Sequence, residues 1–250
     1  MKPVLLFFFL GFQLSLVFSQ TTMDTTLPLK WKEGILKDEN LSDRDDISKF
    51  SELDLSGLFN TDEAEPPLGY IGENYERFDI FYTSVKKNSV KPNQYLIKGR
   101  TRVKQNVCDF KGTITLSNAR YYIHKSDLGN YPDSIQLGLL TGTYYFEEDA
   151  SQFHSGKLQG FFTIRYYIDA NNRIVMDDLD NTCDTYNNQQ YVGTWTSYSG
   201  NKIVPCNWGS SRIPACGDLD VGKKEFMPDE KYKANGWDKY PSILNTVWWK

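Results

Sequence analysis

Histidine is the scarcest chemistry in this chain: 250 residues carry two, His124 and His154, thirty positions apart. One falls in a tyrosine-rich strand pattern and the other in a loop, and for each a surface or hydrogen-bonding role is the plain reading. Neither Gly-x-Ser-x-Gly nor His-Glu-x-x-His occurs, and Gly209-Ser210-Ser211 has no strand-to-helix context, so the common nucleophile–base and zinc-hydrolase patterns are excluded. A Walker-type loop and a dinucleotide fingerprint are also missing, and no cofactor is expected. The acid pair Glu147/Glu148 falls at a strand end, where solvation accounts for it. A glycosidase alone stays open, because its two acids can be far apart in sequence. The expectation is a protein that is not an enzyme.

Other absences narrow the class further. After the first nineteen residues no apolar run approaches a membrane span. Formal charge is −4 and uneven: residues 20–65 hold twelve acids against five bases, while 66–250 come to +2. A domain so near neutrality carries no electrostatic footprint for nucleic acid. The four cysteines, Cys108, Cys183, Cys206 and Cys216, form no Cys-x-x-Cys pair for zinc, and no metal is expected at them.

What is present begins with an export signal. Lys2, the apolar run Val4–Leu10, and the small-residue positions Val17 and Ser19 predict a signal peptide over 1–19, cut before Gln20. The mature chain is then expected to be soluble and exported, periplasmic or extracellular. There an even cysteine count reads as disulfides. Three connectivities are open, and Cys206–Cys216 has the shortest closure.

The organising stretch runs from Gly99 to Tyr198. Five strand-like segments each open on a glycine: Gly99, Gly112, Gly142, Gly160 and Gly193. Two and four residues on, side chains are mostly apolar (Ile114 and Leu116, Tyr144 and Phe146, Phe162 and Ile164, Trp195), and Thr or Arg falls between. Such alternation gives one buried and one wet sheet face. The glycine lies on the buried face, where a missing side chain lets a strand coil or an aromatic lie against the backbone.

Strand patterns follow at 75–87, 94–104, 107–125 with a bend at Ser117–Asn118, 134–149, 155–170, 174–179, 191–200 and 201–208. The fold expected is all-β: an antiparallel meander of about eight strands, a closed or nearly closed barrel. It occupies 68–226 between irregular extensions. Residues 20–67 read as an acidic, largely irregular arm; within it Phe50, Leu53, Leu55, Leu58 and Phe59 are able to dock, and a releasable pro-segment is the sharper alternative. Residues 227–250 read as an irregular aromatic tail, with Trp237, Trp248 and Trp249 able, like Phe226, to cover the sheet.

The glycine-led strands, LLTGTYYF and YVGTWTSY among them, resemble calycin-type barrels, the lipocalin and avidin-like proteins; that implies a secreted ligand carrier. Over most of 68–226 the runs YIGENYERFDIFYTSVKK, KGRTRVKQNVCDFKGTI, NNQQYVGTWTSY and CNWGSSRIPACGDLDVG resemble an uncharacterised family of secreted proteins from Gram-negative bacteria. This second resemblance implies export and the domain limits, and a pairing Cys108–Cys206 with Cys183–Cys216.

If the sheet closes, Tyr144, Phe146, Phe162, Tyr166 and Trp195 point inward together, as core or as the wall of a ligand pocket. An outer carbohydrate site around Arg165 and Tyr167 is a further candidate. Two acidic groups, Asp177/Asp178/Asp180/Asp184 and Asp218/Asp220/Glu225, have the residue types calcium wants without the EF-hand spacing. The function expected is an exported binding module for a small apolar or glycan ligand; the alternative is an interaction module that docks a surface protein on a sheet face.

Overall fold

The computed structural model describes residues 26–129, 131–241 and 247–250; the expected signal peptide lies outside them. Nine antiparallel strands follow two short helices. The helices are α1 (Leu27–Leu36) and α2 (Ile47–Phe50). The strands are β1 (Leu68–Ile71), β2 (Glu76–Lys87), β3 (Gln94–Val103), β4 (Asn106–Tyr121), β5 (Gln136–Glu148), β6 (Gly156–Ile168), β7 (Ile174–Met176), β8 (Asn188–Ser197) and β9 (Ile203–Ser210). No helix among the described residues is long and apolar enough to cross a membrane.

Eight of the strands form a closed up-and-down barrel, β1-β2-β3-β4-β5-β6-β8-β9, with β9 returning to β1. The ring closes on only four residues: Leu68–Ile71 pair with Gly209–Cys206 on one side, and Tyr70 and Ile71 with Arg77 and Glu76 on the other. Strand β7 is the ninth. It pairs with Tyr166–Ile168 where β6 has run past the end of its ladder with β8. The 174–179 pattern is therefore a strand outside the ring, and its place in the ring belongs to β1, which the alternation does not mark. The expected bend in β4 is a register shift between Leu116 and Asn118.

Glycine does on the inner wall what its position implies. A methyl group on Gly142 would lie 2.6 Å from the Phe162 ring, and one on Gly193 would collide with the Tyr144 hydroxyl. Aromatic rings thus lie directly on backbone, and the wall bends around them. The core they build is continuous from Phe78 and Ile80 through Tyr144, Phe146 and Phe162 to Trp208.

The segment expected to be an acidic, largely irregular arm docks on this core through its apolar residues. After α1, which packs on the outer face of β6 and β8, the chain runs along the end of β4. Ser42 and Asp46 donate backbone hydrogen bonds to Tyr121 and Ala119 at 2.8 Å. Helix α2 and a 3-10 helix at Ser56–Phe59 then fill one mouth of the barrel. Phe50 meets Tyr166 at 5.1 Å between ring centres, and Phe59 meets Tyr95 at 5.1 Å and Phe162 at 5.7 Å. Leu55 and Leu58 are buried beside them, while Leu53 faces solvent. Lys87 Nζ straps the plug down through the carbonyls of Ser51 and Leu53.

The C-terminal extension is a second layer outside the barrel. Ile213, Leu219, Phe226 and Trp237 bury Leu68 and Tyr70 of β1 in a small separate core. Trp249 stacks on Phe81 of β2, with ring centres 4.2 Å apart and planes 6° from parallel, and Arg102 lies over Trp248 at 4.8 Å. The aromatics of the tail therefore do cover the sheet.

Candidate functional site

All five aromatics singled out by the alternation point into the barrel. They are packed on one another and on neighbours. Tyr144 lies 4.9 Å from Trp208 and 5.6 Å from Tyr191; Phe146 stacks on Phe110 at 4.9 Å; Phe162 stacks on Tyr191 at 5.6 Å; Tyr166 meets the plug. Four of the five are at most 2 % exposed. Among the described residues the hydroxyls of Tyr144 and Tyr166 have no hydrogen-bond partner, and burial raises the phenols of Tyr82, Tyr144 and Tyr166 well above their ordinary range.

Trp195, the fifth, belongs to a polar group at the end opposite the plug. Its indole Nε1 donates to Glu148 Oε2 at 2.9 Å, Gly156 N donates to the same oxygen at 2.8 Å, and Thr101 Oγ1 donates to Oε1. Glu148 is thus not the solvated strand-end acid that its neighbourhood in sequence implies: it is 5 % exposed, and burial raises its pKa against the pull of those three donors. The Cys108 thiol close by is pushed up to about 11, first by burial and then by the Glu148 charge, so it is a neutral thiol at physiological pH.

The expected disulfides are not formed: Cys108, Cys183, Cys206 and Cys216 are all free thiols. Ring order explains the first pairing. Strands β4 and β9 are separated by three strands in either direction, which at about 4.8 Å per strand sets Cys108 and Cys206 across the barrel diameter. A disulfide needs Cα atoms within about 7 Å. Cys183 is exposed in the β7–β8 loop, whereas Cys216 packs against the small core over β1. Cys206 is wholly buried inside the barrel wall, so the short closure to Cys216 fails as well.

Of the acidic groups, Asp177, Asp218 and Asp220 are engaged by other side chains, and no cluster suited to a metal occurs among the described residues. Asp177 is buried and accepts from Tyr131 Oη at 2.9 Å, with Arg165 Nε 3.4 Å away. Asp220 is paired with Arg212, and Asp218 with Lys231 at 2.6 Å and the Tyr232 hydroxyl at 2.7 Å. The outer site around Arg165 and Tyr167 is covered: Arg165 lies over Tyr186 at 5.5 Å, and Tyr167 packs beside Tyr122 and Leu137. His124 takes a backbone contact from the arm through Asn40, and His154 leans on the exposed Phe153 at 3.7 Å.

Open space lies on the outside, on both sides of the start of α1. One cleft, of about 400 Å³, has Thr143, Gln159, Phe161, Thr196 and Ile203 in its floor and walls. The other, of about 210 Å³, is walled by Tyr70, Glu73, Tyr75 and Pro205. They meet at Pro28 and Thr194, which line both. Strand register sets the floor of the larger cleft: Thr143 stands opposite Phe161, and Gln159 opposite both Tyr145 and Thr194. Lys32 of α1 covers one side of the Phe161 ring at 4.7 Å.

In the smaller cleft, Gly72 (φ 80°) and Tyr75 (φ 52°) make the tight turn between β1 and β2. That turn brings the Tyr70 and Tyr75 rings to 4.8 Å, edge to face. Tyr70 Oη donates to the Ala215 carbonyl at 2.9 Å and accepts from Asn207 Nδ2 at 2.9 Å. None of these cleft residues was singled out by composition or motif. The trace available was the Tyr70-x-Gly72-x-x-Tyr75 spacing around a turn glycine. Comparison with protein-family models, with curated proteins and with solved structures finds no match.

Proposed function

We propose that the protein is an exported, non-enzymatic binding module that holds a glycan on the outside of its barrel, in the groove over β5, β6 and β8. The observation that carries this reading is the pair of clefts joined at Pro28 and Thr194. The interior offers a ligand packed rings instead of a pocket, which moves the ligand from inside the barrel to its surface. Sugars present hydroxyls around weakly apolar C–H faces, so their sites combine one or two aromatic platforms with short polar side chains. Phe161 supplies the first, and Thr143, Gln159, Thr194 and Thr196 the second. Rigid sheet backbone holds these groups in register, which lowers the ordering cost of binding.

The test is titration of the protein with gluco-, xylo-, manno- and N-acetylglucosamine tetrasaccharides, followed by amide chemical shifts. Shifts confined to Thr143, Gln159, Phe161 and Thr194, with affinity at least about tenfold weaker in Phe161→Ala, are expected. Silence from the whole panel at millimolar sugar, or binding indifferent to both Phe161→Ala and Gln159→Ala, would overturn the reading. Capture of a surface protein on the same face by the sugar-silent protein would favour the interaction module instead.

A further inference from the structure

We propose that the cleft of Tyr70, Glu73 and Tyr75 is an ammonium subsite, so that the glycan held in the groove carries free amino groups, as glucosamine units do. This rests on the groove being a glycan site and names the sugar class it takes. Three features lead to it.

The first is charge. Glu73 lines the cleft, is exposed, and has no cationic partner among the described residues. Three cations near the turn are committed to other carboxylates: Arg77 to Asp79 at 2.8 Å, Lys104 to Glu76 at 2.7 Å and Lys231 to Asp218 at 2.6 Å. Burial raises the Tyr75 phenol; Asp218, Cys216 and Glu73 add to this and Lys231 opposes it.

The second is the half-buried Tyr75 ring, backed edge to face by the buried Tyr70. A ring face attracts a cation through its quadrupole, and it does so beside the Glu73 carboxylate. A lone carboxylate with aromatic walls is a poor site for a hard metal ion, which wants several oxygens. It suits an ammonium, which is satisfied by one carboxylate, one or two neutral acceptors and ring faces. Thr194 at the junction is placed to supply an acceptor.

The third is the backbone. Tyr75 is a bulky residue held at positive φ, a conformation that costs energy and persists only where the surroundings enforce it. The enforcement is visible: Trp237 Nε1 donates to the Tyr75 carbonyl at 2.8 Å, and Asn235 Nδ2 donates to the Asn74 carbonyl at 2.6 Å. The C-terminal layer thus fixes the ring that walls the cleft, and a rigid wall discriminates where a mobile one would adapt.

The experiment compares the glucosamine tetrasaccharide with its N-acetylated counterpart by calorimetry near pH 6. The amine-bearing sugar is expected to bind about tenfold more tightly, the combined size of one exposed ion pair and a cation–ring contact. Glu73 is exposed, so Glu73→Gln leaves the fold intact; it is expected to bring the two sugars to within about twofold while leaving the N-acetylated one unchanged. Raised salt should shrink the preference in the wild type and not in the variant. Equal affinity for the two sugars would overturn the subsite while the groove reading stands. A preference that survives Glu73→Gln would place the amine elsewhere and overturn it too. Failure of both sugars, with silence from the neutral panel, would remove subsite and groove together.

Discussion

The two ends of the barrel are closed in opposite ways. At one, a foreign segment enters: Phe50, Leu55, Leu58 and Phe59 come from outside the sheet and complete its core with apolar side chains. At the other, the sheet closes itself. Glu148 at the end of β5 gathers donors from β3, β8 and the start of β6 around one buried carboxylate. Apolar closure is forgiving of direction and sensitive to volume. Closure by hydrogen bonds to a buried acid is directional and sensitive to proton activity. The two ends should therefore fail under different challenges, and each prediction below separates them.

The largest effect is expected at the plug. Phe59 is almost fully buried between Tyr95 and Phe162, so Phe59→Ala should cost about 3–5 kcal/mol in urea unfolding. The loss should be the same at pH 5 and pH 8. A cost under about 1 kcal/mol would mean that the segment is the loosely docked arm its composition suggests.

Next comes the polar end, where the sign of the pH dependence is the test. Burial raises the Glu148 pKa in the folded state, so between its unfolded and folded values the native protein binds more protons than the unfolded chain. Stability from this group is then fully present below the unfolded value and is lost as pH rises through the folded one. The melting temperature should show a downward step over that window, and Glu148→Gln should abolish the step. A step of the opposite sign would mean that the three donors outweigh burial.

A smaller effect is expected at the strap over the plug. Lys87→Met keeps the apolar stem and removes the donor to Ser51 and Leu53, for a cost of about 1–2 kcal/mol. Hydrogen exchange should rise at the amides of α2 and not around Gly156. Protection lost equally at both ends would show that they open as one unit.

The smallest effect is none. With four free thiols, addition of a reductant should leave the melting temperature of freshly purified protein unchanged. A fall of several degrees would restore a disulfide and, with it, a different arrangement of β4 and β9.

What could be read in advance was whatever repeats locally. The alternation in 98–104, 111–117, 141–147, 159–165 and 192–198 is written into neighbouring residues, and so are the inner glycines and the break after Leu116. The same holds for the docking residues of the plug, since Phe50, Leu55, Leu58 and Phe59 stand out in a polar segment. Hidden was whatever depends on ring order. Leu68–Ile71 is too short to show a period, yet it closes the barrel. The cysteine pairing required β4 and β9 to be close, and they are opposite. Helix α1 has weak periodicity, with only Pro28 buried, so the groove on either side of it left no pattern to find. The candidate site was thus far less legible than the fold: its residues come from β1, the β1–β2 turn, β5, β6, β8, β9 and α1, and only the tertiary fold assembles them.

The four-residue seam between β1 and β9 also sets a timetable. The partners Tyr70 and Asn207 are 137 residues apart in sequence, whereas β2 to β6 pair with their immediate successors. Loop entropy favours the near pairings first, so the meander can assemble hairpin by hairpin and the seam joins last. Destabilising the seam, for instance by Asn207→Ala, should then speed unfolding more than it slows folding. Until Ser210 has left the ribosome, the sheet has two bare edges, and those edges, not the buried aromatics, are where a stalled chain would meet another copy of itself.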